Sequence, residues 1–280
     1  MHQEMKKQIT DFRVERNEAL TQRLFLLQLA TADGSPLAEV RPGQFAEVRV
    51  DGEPGVFLRR PISIHRSDRA AGRLWLLVQR AGRGTHRLGA LREGETLNLV
   101  YPLGNGFTLP EPAATASRTG GRYLLVGGGV GIAPLLETGA ALHAAGAEVT
   151  FLLGGRTAAD VVEADDYRRY GRLLATTEDG SAVPGAACSR GFVTQHPDFA
   201  AGRYDAVRVC GPMPMMRAVA AAVRGWFGEA GVPARYCEVS LENKMACGLG
   251  VCLCCVEDTR DGHRCVCSDG PVFDINDLKW

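Results

Sequence analysis

The stretch YLLVGGGVGIAPLLETGAALHAA, residues 123–145, decides the fold. A continuous apolar run (123–130) ends in glycines, and a helical pattern (132–145) begins just beyond them. A buried strand, a glycine turn and a helix in that order make the first half of a βαβ unit. Further runs follow with helical stretches between them: EVTFLLG (148–154), RLLATT (172–177), AVRVCG (206–211), then MMRAVAAAVRGW (215–226) as a helix. Strands alternating with helices predict a Rossmann-like α/β domain with a parallel sheet over about 120–235.

The glycine turn predicts a nucleotide phosphate site. Bare backbone N–H groups and the helix dipole both favour an anion there. Gly127, Gly128, Gly129 and Gly131 are the candidates, although Ile132 stands just beyond Gly131 and the full G-x-G-x-x-G pattern is incomplete. CGPMP (210–214) closes a later strand of the same sheet, so Cys210 and Gly211 are placed on the nicotinamide side of the crevice. A helix-starting turn with proline at its first position accounts for the same residues structurally. Arg156, after the second strand, is positioned to meet a 2′-phosphate, but no basic cluster accompanies it and Asp160 is nearby, which favours NAD over NADP.

Upstream, residues 1–112 read as short strands between turns: ITDFRVE (9–15), RLFLLQL (23–29), QFAEVRV (44–50) and RLWLLV (73–78). This spacing predicts an antiparallel barrel. RRPISI (59–64) places an arginine beside a proline-fixed strand start, and GRGT (82–85) sits at a strand end. Each alone is an ordinary strand edge or glycine turn. Their interval, and the nucleotide domain that follows, point to one flavin. TASRTGG (115–121) reads as a linker.

Downstream, from about 236, the chain reads as loop and is rich in cysteine. Six of the nine cysteines, Cys247, Cys252, Cys254, Cys255, Cys265 and Cys267, lie within residues 247–267. A secreted disulfide scaffold would spread them out. Cys247-x4-Cys252-x2-Cys255 has the plant-type ferredoxin spacing, with a fourth thiolate expected from Cys265 or Cys267. Zinc sites usually pair two short C-x2-C units, and the x4 gap does not suit them. A [2Fe–2S] cluster, with two thiolates on each of two irons, is therefore expected in a small C-terminal domain, 236–280. Cys188, Cys210 and Cys237 are expected as packing residues.

Lys plus Arg equals Asp plus Glu, 32 each, so nothing calls for nucleic acid or an anionic membrane as partner. The N-terminus has no signal-type apolar segment, and no run of about eighteen apolar residues occurs, so no membrane span and a cytoplasmic location are expected.

RPIS (60–63), GRGT (82–85), PLGNGF (102–107), GGGVGIAPL (127–135), CGPMP (210–214), ENKMACGLGVCLCCV (242–256) and VCSDGPVF (266–273) together span nearly the whole chain. In this order the chain resembles the ferredoxin reductase superfamily. More narrowly it is similar to the electron transfer subunits of class 1B dihydroorotate dehydrogenases. The resemblance implies a Greek-key flavin barrel, a nicotinamide domain and an appended [2Fe–2S] domain. It implies FAD held by Arg60, Pro61, Ile62, Ser63, Leu77, Val78, Gln79, Gly84 and Thr85. It also implies cluster ligation by Cys247, Cys252, Cys255 and Cys267, leaving Cys254 and Cys265 spare. The implied partner is an FMN-containing catalytic subunit in a heterotetramer of two plus two. Electrons would pass from its FMN through the cluster and FAD to NAD⁺, in pyrimidine (UMP) biosynthesis, and no acid or base for dihydroorotate oxidation is expected in this chain. The small subunits of NADP-linked ferredoxin oxidoreductases and sulfide dehydrogenases resemble the chain through all three segments. In them an aspartate is expected where Cys247 stands.

Overall fold

The computed structural model describes residues 7–110 and 120–280. Of the linker expected over 115–121, only Gly120 and Gly121 lie within them. The chain forms two compact units. One comprises Met1–Gly106, Glu242–Glu257 and His263–Pro271; the other comprises Phe107–Leu241, Asp258–Gly262 and Val272–Trp280.

The first unit is built on seven antiparallel strands: β1 (Gln8–Ala19), β2 (Leu24–Thr31), β3 (Phe45–Val48), β4 (Arg60–Ser63), β5 (Arg66–Asp68), β6 (Arg73–Gln79) and β7 (Thr96–Leu103). A short helix, α1 (Arg83–Leu88), lies between β6 and β7. Their order in the sheet is β4-β3-β7-β1-β2-β6-β5. The chain passing from β4 to β5 links the two edges. Ile64 N–H donates to Gln44 O beside β3, and the next residue, His65, donates to Trp75 O of β6. Phe12, Val14, Phe25, Leu27, Leu29, Ala46, Val48, Leu74, Leu76, Leu97, Leu99 and Tyr101 fill the interior from alternate strand positions. β5 and β7 lie outside the four expected strands. β5 is three residues long, too short for an alternating pattern to register.

The second unit carries a parallel sheet. Its elements in chain order are β8 (Arg122–Gly128), α2 (Ala133–Ala144), β9 (Glu148–Gly155), α3 (Ala164–Arg168), β10 (Arg172–Thr177), β11 (Ala187–Arg190), α4 (Pro197–Ala200), β12 (Ala206–Cys210), α5 (Met213–Phe227) and β13 (Cys237–Ser240). Two further strands, β14 (Val256–Thr259) and β15 (Gly262–Cys265), form a hairpin, and β16 (Val272–Asp274) follows. The sheet order is β11-β10-β9-β8-β12-β13-β16, with only β16 antiparallel to its neighbour. From β8 the chain steps outward through β9, β10 and β11, then returns to place β12 on the other side. That reversal puts a crevice at the carboxyl ends of β8 and β12, where open α/β sheets bind ligands. The region from 236, expected as loop, therefore contains four short strands, β13 to β16. None exceeds four residues, which is below what periodicity can register.

A buried ion pair ties the beginning of this unit to its sheet. Arg208 on β12 and Glu238 on β13 stand side by side, with Nε 3.2 Å from Oε2. Thr108 donates its N–H (2.8 Å) and its hydroxyl (2.5 Å) to the same carboxylate, and its carbonyl accepts from Arg208 Nη2 at 2.9 Å. Among the described residues, no helix is long and apolar enough to cross a membrane.

Candidate functional site

Three groups of residues stand out, and each is brought together by the local chain. In the second unit, β8 and β12 are neighbours in register, with Gly127 opposite Cys210. The chain leaves β8 through a single 3₁₀ turn, Gly129–Ile132, and enters α2. Gly129 has φ +56°, a conformation that favours glycine. Three of the glycines have no room for a side chain. A Cβ on Gly131 would lie 2.5 Å from Gly211 Cα, one on Gly128 would lie 2.5 Å from Met215 Sδ, and one on Gly211 would lie 3.0 Å from Gly128 N. The glycine turn and the Cys210–Gly211 segment are thus pressed together, leaving the backbone bare at the mouth of the crevice. Arg156 follows β9 and is exposed. Asp160 accepts the Thr157 N–H at 3.0 Å and closes the turn after β9.

In the first unit, β4 carries Arg60, Pro61, Ile62 and Ser63, and α1 carries Gly84 and Thr85. These two stretches meet: a Cβ on Gly84 would stand 2.8 Å from Arg60 Nε. The Thr85 hydroxyl accepts the N–H groups of Ala81 (2.9 Å) and Gly82 (3.1 Å), which fixes the glycine turn. Leu77, Val78 and Gln79 end β6. β5 pairs with β6 only along Arg73–Trp75, so the backbone from Leu77 to Gln79 is uncovered by strand pairing on that edge.

The cysteine loop belongs to the same unit. Gly248 (φ +67°) and Gly250 (φ +83°) bend it, and Leu253 also has positive φ, at +57°. The bend turns N–H groups onto sulfur. Leu249 N–H donates to Cys247 Sγ (3.3 Å), Gly250 N–H to Cys267 Sγ (3.1 Å) and Cys267 N–H to Cys255 Sγ (3.4 Å). Cys247 has a side-chain contact with Cys252, and Cys255 has one with Cys267. Cys265 also approaches Cys255. The N–H of Leu249, together with contacts from Cys252, pulls the Cys247 thiol down to about 6, while burial and then Cys255 push Cys267 up to about 12. Among the described residues, no three His, Cys, Asp or Glu side chains are arranged to hold one metal ion. Thiols gathered in one loop, with N–H groups directed at their sulfurs, suit an iron–sulfur cluster.

PLGNG, 102–106, braces this loop. Asn105 N–H donates to Gly270 O (2.6 Å) and its Nδ2 to Asp269 O (3.0 Å). A Cβ on Gly104 would meet Pro271 Cδ at 2.5 Å. Cys252 and Cys254 are exposed, and so are Leu249, Val251 (77%) and Leu253 around them. Cys210 and Cys237 are buried as expected for packing residues, whereas Cys188 is exposed on β11, at the sheet's edge.

The iron–sulfur cluster binding domain of dihydroorotate dehydrogenase B matches residues 242–279, and an oxidoreductase NAD-binding domain matches 125–221. The dihydroorotate dehydrogenase B (NAD(+)) electron transfer subunit of Shouchella clausii is 38% identical, over 85% of this chain and 86% of its own length. That of Geobacillus sp. strain WCH70 is 35% identical, over 95% and 96%.

The chain belongs to the dihydroorotate dehydrogenase B electron transfer subunit family.

As a member of that family it is a flavin iron–sulfur oxidoreductase subunit working with FAD, a [2Fe–2S] cluster and NAD. Its fold is ferredoxin reductase-like. The solved structure of an NADH-dependent reduced ferredoxin-NADP oxidoreductase, 29% identical, superposes with a TM-score of 0.78 over 96% of this chain and 90% of that one. A ferredoxin reductase of carbazole 1,9a-dioxygenase, 25% identical, gives 0.65 over 84% and 70%.

Glu47 is a residue that the sequence does not signal. It is fully buried on β3, and neither carboxylate oxygen has a hydrogen-bond partner among the described residues. Burial pushes its carboxyl up to about 7. Within the alternating run QFAEVRV a glutamate reads as the solvent face of a strand.

Proposed function

We propose that this chain takes electrons from the FMN of a dihydroorotate dehydrogenase catalytic subunit and delivers them to NAD⁺, in a cytoplasmic complex of two catalytic and two electron-transfer subunits. When bound, the [2Fe–2S] cluster supplies one-electron chemistry and FAD joins it to the two-electron chemistry of NAD⁺. The chain's own work is to hold these groups. Cys247 and Cys252 would ligate one iron, and Cys255 and Cys267 the other. The fit is supported by the gathering of the thiols in one loop and by three N–H groups already directed at sulfur, since such donors stabilise thiolates. Arg60 and the turn at Gly84 and Thr85 would hold the FAD phosphates, with Ile62, Ser63 and the uncovered edge at Leu77–Gln79 against the rest of the flavin. Their fit rests on the direct approach of Gly84 to Arg60. Gly127, Gly128, Gly129 and Gly131 would present N–H groups to the NAD pyrophosphate, and Cys210 and Gly211 would bound the nicotinamide. The exposed Leu249, Val251 and Leu253 ring the cluster loop and give the catalytic subunit an apolar surface to cover.

The observation that carries this reading is the cysteine loop with N–H groups turned onto its sulfurs, in a chain of this family. Co-expression with an FMN-containing dihydroorotate dehydrogenase subunit tests it. The expected result is a co-purifying complex of two plus two that forms orotate with NAD⁺. A chain that instead shows NADPH-specific, ferredoxin-linked activity would be the small subunit of an NADP-linked ferredoxin oxidoreductase. That second reading is favoured by the 29% identical solved structure and opposed by Cys247, where those subunits are expected to carry aspartate.

A further inference from the structure

The outer face of β3 is where the flavin strand and the cysteine loop come together. Along β3, Ala46 and Val48 enter the barrel interior with the neighbouring Ile62, so Phe45 and Glu47 face the other way. Across β4, Glu47 stands opposite Pro61 and Phe45 opposite Ser63. Across β7, Glu47 stands opposite Val100 and Phe45 opposite Leu103. The cysteine loop lies on this face. A Cβ on Gly248 would stand 2.7 Å from Glu47 Cγ and 3.0 Å from Leu103 Cδ1.

Glu47 is therefore one residue across from the RPIS strand and in contact with the residue that follows Cys247. Its cross-strand partners, Pro61 and Val100, are apolar, and a glycine of the loop lies against it. Its exposure is 0%, and both oxygens lack a hydrogen-bond partner among the described residues. A buried carboxylate without hydrogen bonds is costly, and its charge is felt over a distance because burial keeps it from bulk solvent. The nearby cations, Arg59 and Arg60, act at a distance: the Arg59 guanidinium donates to the backbone oxygen of Glu47 (3.2 Å) and to Asn98, and Arg60 donates to Leu58 O (2.7 Å).

We infer that Glu47 is a positioning residue for the electron-transfer step that acts through its charge, holding the cluster at a lower reduction potential than the cysteine loop alone would give. The balance is simple. One electron added to the cluster increases its negative charge by one, and the ionised Glu47 carboxylate against Gly248 opposes that addition. The cluster then releases its electron more readily. The inference rests on the cysteine assignment above.

The test is a redox titration at pH 8.5 of the holoprotein and of its Glu47→Gln and Glu47→Asp variants, following the EPR signal of the reduced cluster. Glu47→Gln keeps the shape and removes the charge. Its cluster should take up an electron about tenfold more readily, an upward shift of ~59 mV for a one-electron couple. Glu47→Asp keeps the charge and should titrate close to the parent. An unmoved Glu47→Gln potential overturns the inference, and so does a Glu47→Asp shift as large as that of Glu47→Gln. A Glu47→Gln protein that assembles no cluster, while Glu47→Asp does, overturns it too, because the carboxylate would then be a support of the loop. A parent protein with no cluster signal at all would refute the cysteine assignment instead.

Discussion

Gly131 and Cys210 are in backbone contact: a Cβ on Gly131 would stand 2.6 Å from the carbonyl carbon and oxygen of Cys210. No flexible side chain lies between them to give way. Gly131→Ala must therefore part the glycine turn from the end of β12. Overpacking of this kind costs about 1–3 kcal/mol. NADH affinity should fall at least about tenfold, the equivalent of ~1.4 kcal/mol, with the flavin absorbance unchanged. Stopped-flow flavin reduction at several NADH concentrations measures it.

Arg60 offers the charged half of the proposed flavin phosphate site. Hydrogen bonds to charged groups contribute about 1.5–3 kcal/mol each. Arg60→Ala should purify with FAD depleted and recover it only at high added FAD. Gly84→Ala should be milder, since its Cβ would meet the far end of the Arg60 side chain, which can move. Flavin content after gel filtration separates the two.

The cysteine loop makes a prediction of its own. Cys252→Ser and Cys255→Ser should lose the cluster absorbance and iron, whereas Cys254→Ser should keep both. Cys265 and Cys267 both approach Cys255, but only Cys267 accepts an N–H from the Gly250 bend, so Cys267→Ser should lose the cluster and Cys265→Ser retain it.

Arg208 and Glu238 are 2% and 5% exposed. Arg208→Met leaves a buried carboxylate facing an apolar side chain and should destabilise the protein by about 3–5 kcal/mol. Adding Glu238→Gln to it should recover part of that loss, because the carboxylate no longer needs a counter-charge. Thermal melts of the single and double variants test the coupling.

In cluster-free protein the cysteines should differ in reactivity. The thiolate is the nucleophile, and Cys247, drawn down to about 6, forms it as pH rises through that value. Cys267, pushed up to about 12, stays protonated at neutral pH. Iodoacetamide at pH 7 should therefore label Cys247 ahead of Cys267, and labelling of Cys247 should fall when the pH is lowered below 6. Peptide mass spectrometry reads both.

Much of this architecture is legible in the sequence. The runs at 123–130, 148–154, 172–177 and 206–211 become β8, β9, β10 and β12, because strands buried on both faces are continuously apolar. The cysteine spacing was legible because cluster geometry fixes it. Other features were not. β13 and β16 are three or four residues long, and pairing, not pattern, makes them strands. The role of Asn105 depends on a segment some 160 residues later, which no local signal records. Glu47 was hidden because a polar residue in an alternating strand ordinarily faces water, and here the cysteine loop covers that face.

The pairing of β13 with β16 has one more consequence. Ser240 and Val272 are cross-strand partners, so the chain between them is a loop already closed by the sheet. Closing such a loop carries an entropic cost that grows only with the logarithm of its length, and the strand pairing meets it before any iron arrives. The thiols of Cys247, Cys252, Cys255 and Cys267 are then confined together at high effective concentration. Metal loading becomes a local event on a folded chain, and a protein stripped of its iron should be able to take it up again without refolding.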